Sequence, residues 1–202
     1  MSDRLKNYDI AILLDRSGSM VIEDCPNGKS RWDYARENVE AVAARANKID
    51  SDGITVVVFG SKVKVYENTT PDKIQQIYDE VEPIGNTATD LALEAILTTE
   101  WFLGRKTGTR KPIIAIVFTD GKPNDQSVLE KVIVNAANNI ERDEDLGISF
   151  VQVGYDKGAS EFLAYLDNDL TGKTKFDIVD TKSMEELEEI GVMGLFNAAL
   201  DD

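Results

Sequence analysis

The chain has 202 residues, 42% of them hydrophobic, and a net charge of -15 from 22 basic and 37 acidic side chains. That length suits one domain spanning residues 1–202, with a substantial core, and the apolar content argues against disorder. A surface this negative repels phosphate backbones and anionic lipid, so neither nucleic acid nor a membrane is an expected partner.

Residues 8–14 (YDIAILL) form a short, nearly all-apolar run, as expected of a strand buried on both faces. Over residues 31–49, Trp32, Ala35, Val39, Val42 and Ala46 recur at spacings of three and four, which predicts a helix. Residues 54–59 (ITVVVF) read as a second buried strand. Gly60-Ser61 then leads into KVKVYE, and so short a link permits only an antiparallel hairpin. The charges alternating along KVKVYE suit an edge strand.

Thr70-Pro71 predicts an N-cap and first helical position for a helix reaching about Val81. A further helix is expected from Thr89, read as its cap, to about Phe102, with Leu91, Ala92, Ala95, Ile96 and Phe102 inward. Strands follow at 113–119 (IIAIVFT), 148–153 and 176–179, and helices at 127–140 and 161–166. Ser183-Met184-Glu185-Glu186 is a capping box opening a C-terminal helix. Alternation of this kind predicts an α/β fold: a doubly wound, Rossmann-like, mostly parallel six-stranded sheet with one antiparallel edge strand and helices on both faces. The longest irregular stretch, residues 15–30, follows the first strand, where open α/β sheets bind ligands.

No run approaches the ~20 apolar residues that a membrane span needs, and the N-terminus lacks the features of a signal peptide. A cytoplasmic location is therefore expected. Histidine is absent and Cys25 is the single cysteine. These two facts remove Ser-His-Asp and Cys-His catalysis, zinc sites of the usual kind and any intrachain disulfide. A metal bound here must be held by oxygen, which points to Mg²⁺, Ca²⁺ or Mn²⁺.

Asp15-Arg16-Ser17-Gly18-Ser19 sets a carboxylate and two hydroxyls around a tight loop after the first strand, with Gly18 allowing the turn. Asp120, in FTDG, lies at the same end of another buried strand, and Thr87 sits in a polar loop before a helix. Each alone could be a turn former or a cap. Together, at adjacent strand ends, they read as a hard-cation site. Asp24 and Asp125 read as solvated or capping carboxylates, with support of the metal as the less favoured role. Cys25 reads as an exposed loop residue, and Trp32 and Trp101 as packing against the sheet. Asn27-Gly28-Lys29-Ser30 is not a phosphate loop, because Glu23 stands where its leading glycine belongs. Ser17 likewise stands where an aspartate-phosphorylating phosphatase needs an acid.

LLDRSGSM, GNTATDLAL and FTDGKPND resemble the three signature segments of von Willebrand factor type A domains. On that resemblance Asp15, Ser17, Ser19, Thr87 and Asp120 match the family's metal-ion-dependent adhesion site, in which hydroxyls usually touch the ion and aspartates often act through water. It implies a monomeric protein-interaction module whose cation, Mg²⁺ or alternatively Ca²⁺ or Mn²⁺, is completed by a partner's Glu or Asp. It also implies no catalytic residue, and a setting among stress-response or ATPase-associated systems. Asn86 departs from a second glycine common in intracellular members, and residues 21–30 resemble an insertion able to shape or cover the site. A metal-dependent phosphoester hydrolase and a scaffold with a vestigial site are the alternatives.

Overall fold

The computed structural model describes residues 2–49, 53–170 and 172–201. Its elements run α1 (Ser2–Leu5), β1 (Asp9–Asp15), α2 (Arg31–Ile49), β2 (Ile54–Phe59), β3 (Val63–Thr69), α3 (Pro71–Glu80), α4 (Thr89–Ile96) and α5 (Thr99–Thr107). Then follow β4 (Ile113–Thr119), α6 (Gln126–Asn139), β5 (Leu146–Gln152), α7 (Lys157–Asn168), β6 (Val179–Lys182) and α8 (Met184–Asp201). The six strands lie in the order β3-β2-β1-β4-β5-β6, all parallel except the β2–β3 hairpin at one edge. Chain progression reverses between β1 and β4, and the crevice at that switch point opens beside Asp15 and Asp120.

Strand alternation divides the apolar side chains between two cores. Ile10, Ile12 and Leu14 of β1 join Ile114, Ile116 and Phe118 of β4 under α2, α3 and α8. Ala11, Leu13, Ala115 and Val117 point the other way, beneath α4, α5, α6 and α7. Gly147 of β5 faces the first of these cores: a Cβ there would overlap the Ala199 carbonyl of α8, so the helix rests on bare backbone.

Several expectations are met in detail. Trp32, Ala35, Val39, Val42 and Ala46 all face the core, and Trp101 is buried. Ser183 and Glu186 exchange the two bonds of a capping box, at 2.7 and 3.2 Å. Others are corrected. The helix expected over 89–102 is two helices, because Thr98 caps α5 by accepting the Trp101 N–H at 3.1 Å. Ala88 occupies the cap position of α4, with Thr89 its buried first residue, and Leu91 is exposed while Leu93 takes the inward place. Thr70 holds the N-cap position of α3 without a side-chain bond. The last strand lies three residues later than expected, at Val179–Lys182 instead of 176–179, where it pairs with β5. Helix α7 spans Lys157–Asn168, longer than 161–166, because Asp156 caps it by accepting the Ala159 N–H at 2.7 Å.

Candidate metal centre

Asp15 ends β1 and Asp120 follows β4; the parallel register that pairs Leu14 with Phe118 sets Thr119 against Asp15 and brings Asp120, one residue on, close enough for its charge to act on Asp15. Both are fully buried. One oxygen of Asp15 accepts the Ser17 backbone N–H and the other the Thr119 hydroxyl, each at 2.7 Å. The hydroxyls of Ser19 and Ser17 donate to Oδ1 of Asp120 at 2.9 and 3.4 Å, and they lie 3.1 Å from each other. Four of the five candidate residues are thus joined by hydrogen bonds.

Thr87 is brought in through its backbone. Its N–H donates to the Asn124 side chain at 3.1 Å, and its carbonyl accepts the Asn124 N–H at 2.9 Å. That exchange fastens the Thr87 loop to the segment after Asp120. On the other side, the Gly85 carbonyl accepts the Gly18 N–H at 3.0 Å. Asn86 does not distort this loop: Gly85, at φ +100°, supplies its left-handed residue, and the Asn86 N–H is held by the Ser61 hydroxyl at 3.0 Å. Gly18 is not needed for a left-handed turn. It opens a 3-10 turn (Gly18–Val21), and a Cβ there would meet nothing closer than 3.8 Å.

The electrostatics are lopsided. Burial, reinforced by the charge of Asp120 and only partly offset by Thr119 and Ser17, pushes the Asp15 carboxyl up to about 7. The counter-charge comes from Arg31, the first residue of α2. Its Nη1 donates to Oδ2 of Asp120 at 2.9 Å, while Nε and Nη2 grip Asp24 at 2.9 and 2.6 Å. The hydrogen bonds from Arg31 hold the Asp24 carboxyl below its ordinary value. Asp24 is therefore tied into the site through Arg31, whereas Asp125 caps α6 by accepting the Ser127 and Val128 N–H groups. Cys25 is not an exposed loop residue. It is 4% exposed, its sulfur lies 3.6 Å from that of Met184, and burial pushes its thiol up to about 11.

Sequence reasoning passed over three contributors: Thr119, Asn124 and Arg31. Thr119 was within reach, since the in-register strand places it beside Asp15. Arg31 carried a fainter signal, a cation in the first turn of a helix, where the macrodipole disfavours it.

The donor set suits a hard cation: two buried carboxylates with excess negative charge, and hydroxyls converging on one of them. Among the described residues no cluster of three or more His, Cys, Asp or Glu could hold a metal, so an ion here relies on the hydroxyls.

The sequence profile of the von Willebrand factor type A domain matches residues 9–190, and the chain belongs to that family. Domains of this family are commonly protein-interaction modules, and often bind a divalent metal. No curated protein matches the chain. Among solved structures it is similar to the VWA domain of SpRpn10, with TM-score 0.61 and 15% identity over 88% of this chain and 87% of that one. It is similar also to manganese-loaded TRAP protein from Plasmodium vivax, with TM-score 0.61 and 14% identity over 95% of this chain and 74% of that one. A third, an aerotolerance-related membrane protein from Bacteroides fragilis, gives TM-score 0.60 and 12% identity over 96% and 100%. At these identities the likeness is one of fold. Among the described residues no helix is long and apolar enough to cross a membrane.

Proposed function

We propose that the chain is a metal-dependent protein-interaction module. Asp15, Ser17, Ser19, Thr87 and Asp120 hold one divalent cation, Mg²⁺ with Ca²⁺ or Mn²⁺ as alternatives, and a partner's Glu or Asp completes its coordination. The observation that carries this reading is the buried Asp15–Asp120 pair, whose repulsion a cation would relieve. A bound cation supplies Lewis acidity toward a partner oxygen. The protein's own groups do the rest: Thr119 and the Ser17 N–H orient Asp15, and Arg31 orients Asp120.

The loops around the site suit a partner protein. Val21, Ile22, Ile84 and Tyr155 are large apolar side chains exposed at 57, 44, 63 and 57%. Val21 and Ile22 follow Ser19, Ile84 precedes the Thr87 loop, and Tyr155 follows Gly154, whose Cα lies against the Arg31 guanidinium. Solvent-facing apolar side chains gathered around a polar centre are what a docking surface needs. We place the module in the cytoplasm, monomeric until its partner arrives, in a stress-response or ATPase-associated complex. Hydrolysis is the weaker reading, because the sequence holds no histidine and the carboxylates at the site are either the proposed ligands themselves or, like Asp24, paired with Arg31.

The test is capture from host lysate on immobilised protein, with Mn²⁺ or with excess EDTA, read by mass spectrometry. A partner retained only with metal, and lost by a folded Asp15→Ala variant, is the expected result. Equal retention in EDTA overturns the proposal, as does metal-dependent turnover of a generic phosphoester that Asp120→Ala abolishes.

A further inference from the structure

Arg31 is seated with unusual care. Its backbone N–H donates to the Ile22 carbonyl at 2.9 Å, closing the loop that leads into α2. Its side chain is only 8% exposed. Room for the guanidinium exists because residue 154 is glycine at φ +80°, where a Cβ would overlap Nε and Cζ. Gly154 is held in turn by the Met184 sulfur, 3.3 Å from its N–H. Three segments therefore converge on one cation, residues 22–30, the turn after β4 and the turn after β5, and the start of α8 braces the third. Helix stability does not explain the placement, since the first turn disfavours positive charge.

We propose that Arg31 is a built-in counter-charge that weakens the site's hold on its divalent ion, so that the ion binds firmly only together with a partner's carboxylate. The assignment rests on the metal-dependent reading above. A guanidinium keeps its proton at all working pH values, so its charge is permanent. It touches Asp120 directly and cancels part of the negative charge that would attract the ion. At an effective dielectric of about 20, a unit charge roughly 6 to 8 Å from a divalent ion changes its affinity on the order of a thousandfold or more before solvent and Asp24 screen it, so an effect of at least about tenfold survives. Asp24 opposes this effect by taking two of the guanidinium's three hydrogen bonds and sharing its charge. Arg31 thus holds Asp120 while Asp24 sets how much positive charge the ion feels. An anionic ligand on the ion restores the missing attraction, making ion and partner mutually reinforcing.

Two substitutions separate this role from simple tethering. Arg31→Gln removes the charge and retains hydrogen-bonding capacity. Asp24→Asn leaves Arg31 in place but withdraws its compensating carboxylate. Mn²⁺ affinity is measured by calorimetry, with folding checked by circular dichroism. The expected result is opposite movement: on the order of tenfold tighter or more for Arg31→Gln, and severalfold weaker for Asp24→Asn. Adding acetate as a surrogate partner should tighten Mn²⁺ binding more in the wild type than in Arg31→Gln. A tether alone would weaken binding in both variants. Wild-type binding with both variants moving the same way, or neither moving, overturns the assignment and spares the metal site. No binding in any of the three overturns both. If Arg31→Gln does not fold, acetate must tighten Mn²⁺ binding more in Asp24→Asn, where the guanidinium charge is less compensated, than in the wild type; an equal gain overturns the assignment.

Discussion

Two ends of one sheet bury carboxylates in opposite ways. Before β5, Asp145 takes bonds from Arg105 and from Arg142, the latter at 3.3 Å, and accepts the backbone N–H groups of Glu141 and Arg142 at 3.2 and 3.1 Å. Burial works against its charge, but these bonds outweigh it and hold the carboxyl below its ordinary range. At the other end, Asp24 and Asp120 share the one guanidinium of Arg31, while Asp15, buried beside Asp120, accepts only from the Ser17 N–H and the Thr119 hydroxyl among the described residues. One carboxylate with two cations is a finished structural joint. Three carboxylates with one cation leave an excess of negative charge, which the proposed ion would offset.

Removing the finished joint should have the largest effect. Asp145→Ala strands Arg105, whose side chain is 9% exposed, as an uncompensated buried charge. Urea unfolding should show a loss of about 3 to 5 kcal/mol, with metal affinity unchanged. A cost no larger than that of an exposed ion pair would erase the contrast between the two ends.

Next comes Asp15, whose carboxyl is held at about 7 when folded, against an ordinary value of 3.8. The folded state keeps a proton that the unfolded chain releases between those values. The stabilisation is therefore full below about pH 4, is lost as pH rises toward 7, and is constant above. Metal-free Asp15→Asn, which is neutral at every pH, should equal the wild type near pH 4. It should gain on it by about 4 kcal/mol at pH 8. Melting the two proteins in EDTA across that range checks the sign, and a wild type that gains on the variant with rising pH would refute the strained pair.

The smallest effect belongs to Asp24→Asn. Its carboxylate is 30% exposed, so solvent screens the pair and the stability cost should be about 1 kcal/mol or less. A large loss would mean that residues 21–30 depend on Asp24 as a structural joint, which would move this region toward the other end's kind.

The legibility of the two ends also differed. Buried strands such as residues 113–119 announced themselves by composition, and the hairpin followed from its short link. Asp15, Ser17, Ser19 and Asp120 could be grouped because strand ends in a doubly wound sheet meet. The one local signal at Arg31, a cation in the first turn of a helix, says nothing of its role, which depends on a space left by Gly154, 123 positions away (154 − 31). Burial of Cys25 was equally hidden, because Met184 of a distant helix covers it. The break between α4 and α5 was misread because Thr98 looked like one more helical residue, while its hydroxyl caps a new helix. Local pattern determined elements; contacts between remote segments determined how charge is shared at the site.

The central claim, that the excess negative charge around Asp15 and Asp120 receives a divalent cation, is tested most directly by melting the wild type and Asp15→Asn with Mn²⁺ and with EDTA, acetate being present throughout. At Mn²⁺ about 100 times its dissociation constant, the wild type should gain about 2.7 kcal/mol and the variant almost nothing. An unchanged wild-type melt at millimolar Mn²⁺, or an equal gain in both proteins, would contradict the account.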